Sequence, residues 1–382
     1  MWRKVPCTIF RGGTSKALFF LEQDLPQEPE ARERVLLAAI GSPDPNRLNG
    51  IGGNAIATSK VVMIRQSTRP DADVDYTHGQ VGLSEPFIDY APNGGNISFA
   101  VGPYAVLKGL VEPRGGEACV RIYNTNTGKY MVARFPLDDG QLPSWGDWET
   151  AGAPGAGAKV EMEFLRPEGG KTGRLLPTGR EIEVWEVEGR SFCVTLIDAG
   201  NPTLMVEGAA LSLVGSEVED SQLREAYRWI LPLRARAARE LGLSGEGKEW
   251  DVHRNVLPKV AILGSPVSYV ARGGRSIGDA EMSLWARDIT VDRMHEAYPA
   301  TGAVALGIAS LVPGTVANRI AQPAGLEGEV RIAHPSGIFS VSAAVERGDG
   351  GEWDAWRVRY VRFAGTARPL MDGEFFLPDS PS

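Results

Sequence analysis

Residues 92–110 read PNGGNISFAVGPYAVLKGL, and residues 299–311 read PATGAVALGIASL. In each, a glycine-containing loop leads into a run that is almost wholly apolar, with small residues interspersed. A helix that is apolar all round is a buried helix. Pro103 inside the first run allows either a kink or a break. The second run predicts a helix from about Thr301 to Leu311. Two buried helices of this kind, about 200 residues apart, each need a sheet to bury them.

The flanking sequence supplies strands. Residues 8–20 (TIFRGGTSKALFF) and 51–64 (IGGNAIATSKVVMI) each place Thr-Ser-Lys between glycines and an apolar run. Residues 74–83, 118–137 and 158–167 also read as strands. In the second half, 179–208, 259–266, 329–346 and 356–378 do so. Residues 29–42 carry helical spacing with a glycine stop. Residues 221–243 are helical and bend at Pro232. The expected fold class is α/β (α+β), as two pseudo-equivalent lobes, each a curved sheet around a central helix. The boundaries follow as 1–185 and 186–382, with the final strands crossing back to the first lobe. Helix N-termini facing a cleft would suit carboxylates, because they offer free N–H groups and a positive dipole end.

Composition limits the functions available. The chain has 382 residues, 43% hydrophobic and 23% charged, with net charge −8. At roughly 100–200 residues per domain, two domains are expected. No basic stripe suggests a nucleic acid partner. Cys7, Cys119 and Cys193 are too dispersed for a disulfide framework. No apolar run reaches the length of about 18 residues that a membrane helix needs, and the start is strand-like, so a cytoplasmic protein is expected. Residues 168–173 (EGGKTG) lack the earlier glycine of a phosphate loop, since Leu165 stands there. His78, His253, His295 and His334 are scattered, which gives a metal site little support.

The lysine-bearing segments remain. Lys60 is either a strand-end lysine reaching water or, if it points into a cleft, a desolvated base. The same choice applies to Lys16. Asn93-Gly94-Gly95-Asn96 is either a plain turn with an Asn cap or a loop whose backbone N–H groups meet a ligand. Asn201-Pro202 reads as a turn. Arg287 and His295, taken singly, read as exposed helix residues.

Taken in order, RGGTSKALFF, GGNAIATSKVVMI, NGGNISFAVGPYAV, LLPTG, DAGNPT, TGAVALGIASLVPGTVAN, AHPSG and GTARPLMDGEFFLP resemble the PrpF family across nearly the whole chain. That family includes 2-methylaconitate, methylitaconate and 4-oxalomesaconate isomerases. The resemblance implies a diaminopimelate-epimerase-like fold, with no metal and no organic cofactor. It implies a proton and double-bond shift in a small unsaturated di- or tricarboxylate. Lys60 matches the family's catalytic lysine. Arg11, Thr14, Ser15, Lys16, Asn93, Gly94, Gly95, Asn96, Asn201, Arg287, His295, Thr301 and Gly302 are the expected substrate-binding residues.

Two departures stand out. The family's Asn-Cys-Gly-Asn is here Asn93-Gly94-Gly95-Asn96, and Asn54 replaces a small residue. Without that thiol a two-thiol route is closed. A single neutral lysine could instead carry the proton from one carbon to another. A polyanionic substrate opposes this, because it favours the ammonium. The alternative is a carboxylate-binding or partner protein that lost its chemistry with the thiol, and an amino-acid epimerase is less favoured still. The assembly is not legible, and a homodimer is left open.

Overall fold

The computed structural model describes residues 2–113, 115–348 and 356–378. The chain forms two compact units, Met1–Met162 with Ala364–Ser382, and Glu163–Phe363. The passage at 162–163 differs from the boundary expected at 185–186. The reason is local: Gly169 N–H donates to Asp198 O (2.8 Å), Gly200 N–H to Pro167 O (3.1 Å) and Asp198 N–H to Leu175 O (2.9 Å). Residues 166–176 are therefore stitched to a strand of the second unit. Among the described residues no helix is long and apolar enough to cross a membrane.

The first unit contains β1 (Trp2–Gly12), β2 (Ser15–Leu21), β3 (Lys60–Gln66), β4 (Val74–Val81), β5 (Ile88–Asp89), β6 (Glu117–Asn124) and β7 (Lys129–Pro136). A small ribbon, β8 (Trp148–Glu149) with β9 (Ala156–Gly157), precedes β10 (Lys159–Leu165). Neighbouring pairs run antiparallel (β1–β2), parallel (β2–β3), antiparallel (β3–β4), parallel (β4–β6) and antiparallel (β6–β7). The chain's last strand pairs with β1 from Trp2↔Pro378 to Gly12↔Ala367.

Side chains alternate across a sheet, so each strand serves two faces. One face presents Leu18, Phe20, Val61 and Met63 to helix α1 (Pro29–Ile40), which buries Val35, Leu36, Ala39 and Ile40 there. Pro29 stands at the first helical position, and the Glu28 carboxylate accepts the N–H groups of Glu30 and Ala31. Gly41, at φ 87°, ends the helix in the left-handed conformation that glycine adopts without steric cost. The opposite face carries Phe10 and Phe19, whose rings lie 6.1 and 5.0 Å from Tyr104. Tyr104 belongs to α2 (Val101–Leu107), which follows a 3₁₀ turn at Ile97–Ala100. The apolar run over 97–110, where Pro103 allowed a kink or a break, is thus divided. Pro103 has no N–H to bond back to Phe99, so α geometry begins only just before it.

The second unit contains β11 (Glu183–Val187), β12 (Arg190–Ala199), β13 (Asn201–Glu207), β14 (Lys259–Gly264), β15 (Tyr269–Val270), β16 (Ser276–Ile277), β17 (Leu284–Thr290), β18 (Arg293–Met294), β19 (Glu327–His334) and β20 (Gly337–Arg347). The last strand, β21 (Trp356–Pro378), starts here and ends in the first unit. The pairing order repeats: β12–β13 antiparallel, β13–β14 parallel, β14–β17 antiparallel, β17–β19 parallel, β19–β20 antiparallel. Helix α3 (Tyr227–Glu240) stands between β13 and β14 as α1 stands between β2 and β3. It packs Ile230, Leu233 and Ala237 into a core with Leu196, Leu204, Val260 and Ile262. Helix α4 (Ala300–Leu311) stands between β18 and β19 as α2 stands between β5 and β6, and all its residues are buried. A short α5 (Val316–Ala321) follows. The two halves are one arrangement of strands used twice.

Candidate active site

In the first unit the β1–β2 turn rests on the loop that precedes the 3₁₀ turn. A Cβ at Gly12 would lie 2.9 Å from the carbonyl oxygens of Asn96 and Ile97. Gly12 here permits a close approach of backbone to backbone. Asn96 Nδ2 donates to Thr14 Oγ1 at 2.7 Å and ties the two loops. Arg11 Nη1 donates to Gly13 O, Thr366 O and Thr366 Oγ1 at 3.0–3.1 Å, fastening the turn to β21. Burial, then the neighbouring Arg368, lowers the Arg11 pKa. Ser98 Oγ donates to Gly95 O at 2.6 Å and closes the loop on itself.

The two Thr-Ser-Lys segments lie side by side at the starts of parallel strands, and Lys16 N–H donates to Ala57 O (3.0 Å). The β2–β3 register pairs Leu18 with Val61; continued by one residue it sets Ala17 beside Lys60. The two lysines therefore fall on opposite faces: Lys16 is half-buried on the α1 side, and Lys60 is buried on the α2 side.

Lys60 pairs across β3–β4 with Gln80, and its Nζ donates to Gln80 Oε1 at 2.5 Å. The Gln80 amide is oriented by its own Nε2, which donates to Ser59 O (2.8 Å) and Ile56 O (3.2 Å). Gln80 pairs in turn with Asp89 on β5. The Ser59 hydroxyl donates to Val81 O (3.1 Å) and accepts from Arg47 Nη2 (3.3 Å). Arg47 is itself buried, and its Nη2 also donates to Gly82 O at 2.8 Å. Two strand positions from Gln80, on the same face, stands His78, and two further stands Tyr76, whose hydroxyl donates to Gly94 O at 3.1 Å. The face of β4 thus holds the lysine at one end and the Asn93–Asn96 loop at the other.

Gln80, Arg47, His78 and Tyr76 were not among the expected site residues. The signal was present for three of them: the alternation in residues 74–81, VDYTHGQV, puts Tyr76, His78 and Gln80 on one face. No cysteine joins this group. Cys119 and Cys193 are exposed on β6 and β12, while Cys7 is buried beneath α1 with its thiol pushed up to about 12 by burial.

The second unit brings together Asn201, Thr301 and Gly302. Asn201 Nδ2 donates to Thr301 Oγ1 (3.0 Å) at the start of α4. A Cβ at Gly302 would lie 3.3 Å from Asp288 Oδ2. Lys259 occupies the strand position that Lys60 occupies in the first unit. Its Nζ contacts Thr290 Oγ1 (2.9 Å) and Asp288 Oδ1 (3.3 Å), and burial, opposed by Asp288, lowers its pKa.

Arg287 is not an exposed helix residue. It lies fully buried in β17, where its guanidinium donates to the carbonyls of Glu217 (2.5 Å), Gly215 (2.5 Å) and Ala286 (2.8 Å). Its hydrogen bonds serve the framework, and burial brings its pKa down to about 10. His295 lies just after β18, half-buried, with its backbone N–H on Asp288 O (2.8 Å) and its Nδ1 accepting from Ala297 N–H (3.1 Å).

Comparison with known proteins places this arrangement. A solved methylitaconate-delta-isomerase superposes with a TM-score of 0.78 at 32% identity, covering 98% of this chain and 96% of that one. A hydroxyproline epimerase from Agrobacterium vitis shares the fold, with a TM-score of 0.60 at 14% identity over 98% of this chain and 92% of its own. The class is therefore that of isomerases built on the epimerase–racemase fold. Within it, the chain belongs to the PrpF family, whose model ("PrpF protein") matches residues 2–378. The chain is 37% identical to the 2-methyl-aconitate isomerase of Cupriavidus necator (98% of this chain, 97% of that protein). It is also 37% identical to the 4-oxalomesaconate tautomerase of Pseudomonas putida (97% and 95%). It is an isomerase of this family.

Proposed function

We propose that this isomerase shifts a proton and a double bond in a small unsaturated di- or tricarboxylate, of the kind that 2-methylaconitate and 4-oxalomesaconate represent. The observation that carries the reading is Lys60, buried at the start of β3 with its Nζ held by an amide whose own orientation is fixed. The names of the relatives support the substrate class.

An allylic proton next to a carboxylate-conjugated double bond leaves its carbon, and the electron pair spreads into a dienolate. A proton then arrives at a different carbon. Lys60 takes part in this transfer and, as an ammonium, offers positive charge to the dienolate. A thiol is not its partner, since Gly94 supplies only backbone and the three cysteines lie elsewhere. In the first unit, Asn96 and Thr14 are the polar groups we assign to hold a carboxylate; Asn201 and Thr301 are the polar pair at the start of α4 in the second unit. Arg287 shapes the framework instead, because backbone carbonyls accept from its Nε, Nη1 and Nη2, whereas Arg11 fastens the β1–β2 turn to β21 through Nη1 alone.

The test is isomerisation of aconitate-type acids, followed by NMR, in the wild type and in Lys60→Ala. The variant is expected to lose at least about 100-fold in turnover, the lower end of what general acid–base help supplies. Wild-type turnover in Lys60→Ala would remove the lysine from the mechanism. A wild type that binds these acids but exchanges no proton with any of them would instead be a carboxylate-binding protein.

A further inference from the structure

His78 is a buried titratable group that the reaction as described leaves unused. Its place follows from strand register. Lys60 lies opposite Gln80, and His78 follows two residues away on the same face of β4. A diagonal neighbour of that kind lies about 7–8 Å away, within reach of long and aromatic side chains. An imidazole and a lysine therefore flank the Gln80 amide on one face.

The ring is oriented. Its Nδ1 lies 3.1 Å from the carbonyl oxygen of Pro92. A carbonyl only accepts, so Nδ1 carries the hydrogen and Nε2 holds the lone pair of the neutral ring. The ring also fills a particular volume. A Cβ at Gly94 would lie 2.4 Å from His78 Cδ2 and 2.8 Å from Nε2. Any side chain at position 94 would have to displace the imidazole. The glycine and the histidine are two halves of one fit, and the ring edge bearing Nε2 lies against the loop Asn93–Asn96.

We propose that His78 is the second proton-transferring group of this site: its Nε2 takes the allylic proton, and the Lys60 ammonium delivers a proton to the other carbon. The proposal rests on the isomerase reading above and divides the labour within it. The C–H electron pair enters the conjugated system as the proton passes to Nε2. The dienolate pair then takes a proton from Nζ and forms the new C–H bond. Imidazolium and amine remain, and the imidazolium proton returns to the amine through solvent. No oxidant or reductant is needed. A polyanionic substrate favours an ammonium, and a neutral imidazole is a competent base near neutrality. The imidazolium formed keeps its Nδ1–H on Pro92 O, a charge-assisted hydrogen bond.

The proposal and the lysine-only route predict different fates for the substrate's hydrogen. In deuterium oxide, unlabelled aconitate is converted under single-turnover conditions and the product is analysed by mass spectrometry. If Lys60 alone carries the proton, its ammonium mixes one substrate hydrogen with two deuterons, and about one third of that hydrogen reappears at the new C–H bond. If His78 takes it and Lys60 gives another, none reappears. Retention near one third overturns the proposal.

Variants give a second, independent arm. His78→Phe is expected to lower kcat at least about 100-fold with KM little changed. His78→Ala/Gly94→Cys, with a thiol in the vacated volume, is expected to recover exchange that His78→Ala/Gly94→Ala does not. Equal recovery by both double variants would make the ring a spacer and overturn the proposal. So would wild-type kcat in His78→Phe. An active wild type with insensitive His78 variants refutes this assignment alone, whereas an inert wild type refutes the isomerase reading beneath it.

Discussion

At the scale of single residues, the side chains we propose to move protons are spaced by strand register, which is stiffer than loop geometry. Gln80 is the keystone, because it accepts from Lys60 Nζ and donates to Ser59 O and Ile56 O. Replacing it by leucine removes an acceptor of the lysine and the donor to Ile56 O, while Ser59 O keeps only the Val81 N–H. Gln80→Leu is expected to cost about 1–3 kcal/mol in stability. It is also expected to cost on the order of 100-fold in turnover, because a small misplacement of a reacting group has that effect. Urea unfolding and initial-rate kinetics check the two parts separately, and unchanged turnover would show that the amide does not position Lys60. The residues alone left Lys60 open between a strand-end lysine reaching water and a desolvated one, as they did Lys16, and only the family resemblance singled it out. Its separation from Lys16 was not legible, since it depends on a one-residue offset between parallel strands. The vacancy at Gly94 was legible, but the ring that fills it lies sixteen residues earlier, on another element.

At the scale of elements, buried arginines do structural work that charge counting hides. Arg234 is fully buried on α3, with Nε on Pro258 O (2.7 Å), Nη1 on Val252 O (2.5 Å) and Nη2 on Asn255 O. One helix side chain thereby fixes the irregular approach to β14, the strand that begins with Lys259. Arg234→Leu preserves apolar burial and removes a desolvated charge, but it strips donors from three carbonyls. Unmade hydrogen bonds of this kind cost about 1–3 kcal/mol each, so a net loss of about 3 kcal/mol or more is expected. A lower urea midpoint, with faster proteolysis within 248–258, would register it; an unchanged midpoint would show that water replaces the guanidinium. The end of α1 at Gly41 could be read from its glycine stop, whereas the Glu28 cap could not, since glutamate is not a usual N-cap. The division of 97–107 into a 3₁₀ turn and α2 was half legible, because Pro103 announced a break without saying on which side the α-helix would survive.

At the scale of the whole molecule, one strand order is used twice, and the two copies have diverged in what they place beside the lysine. The first has the neutral Gln80 amide, the second Thr290 and the Asp288 carboxylate. The repeat was visible in sequence only through its two apolar helices, because the strands share a pairing pattern rather than residues. Divergence also left the second copy with a buried histidine at the end of β19. His334 is fully buried; desolvation, then the Arg287 guanidinium, lowers its pKa to about 3. In the unfolded chain the same group titrates near 6.5. Between those values the unfolded state binds a proton that the folded state does not, so stability falls as the pH is lowered. The neutral ring's contribution is present above about pH 6.5 and is lost towards pH 3, at up to about 1.4 kcal/mol per pH unit. His334→Asn keeps an acceptor for the Ser336 N–H, which donates to Nδ1 at 3.2 Å, and does not titrate. Urea unfolding of both proteins from pH 7.5 to 4.5 isolates the effect. The wild type should lose stability faster than the variant below about pH 6.5, and parallel curves would mean that His334 gains its proton without unfolding the second unit.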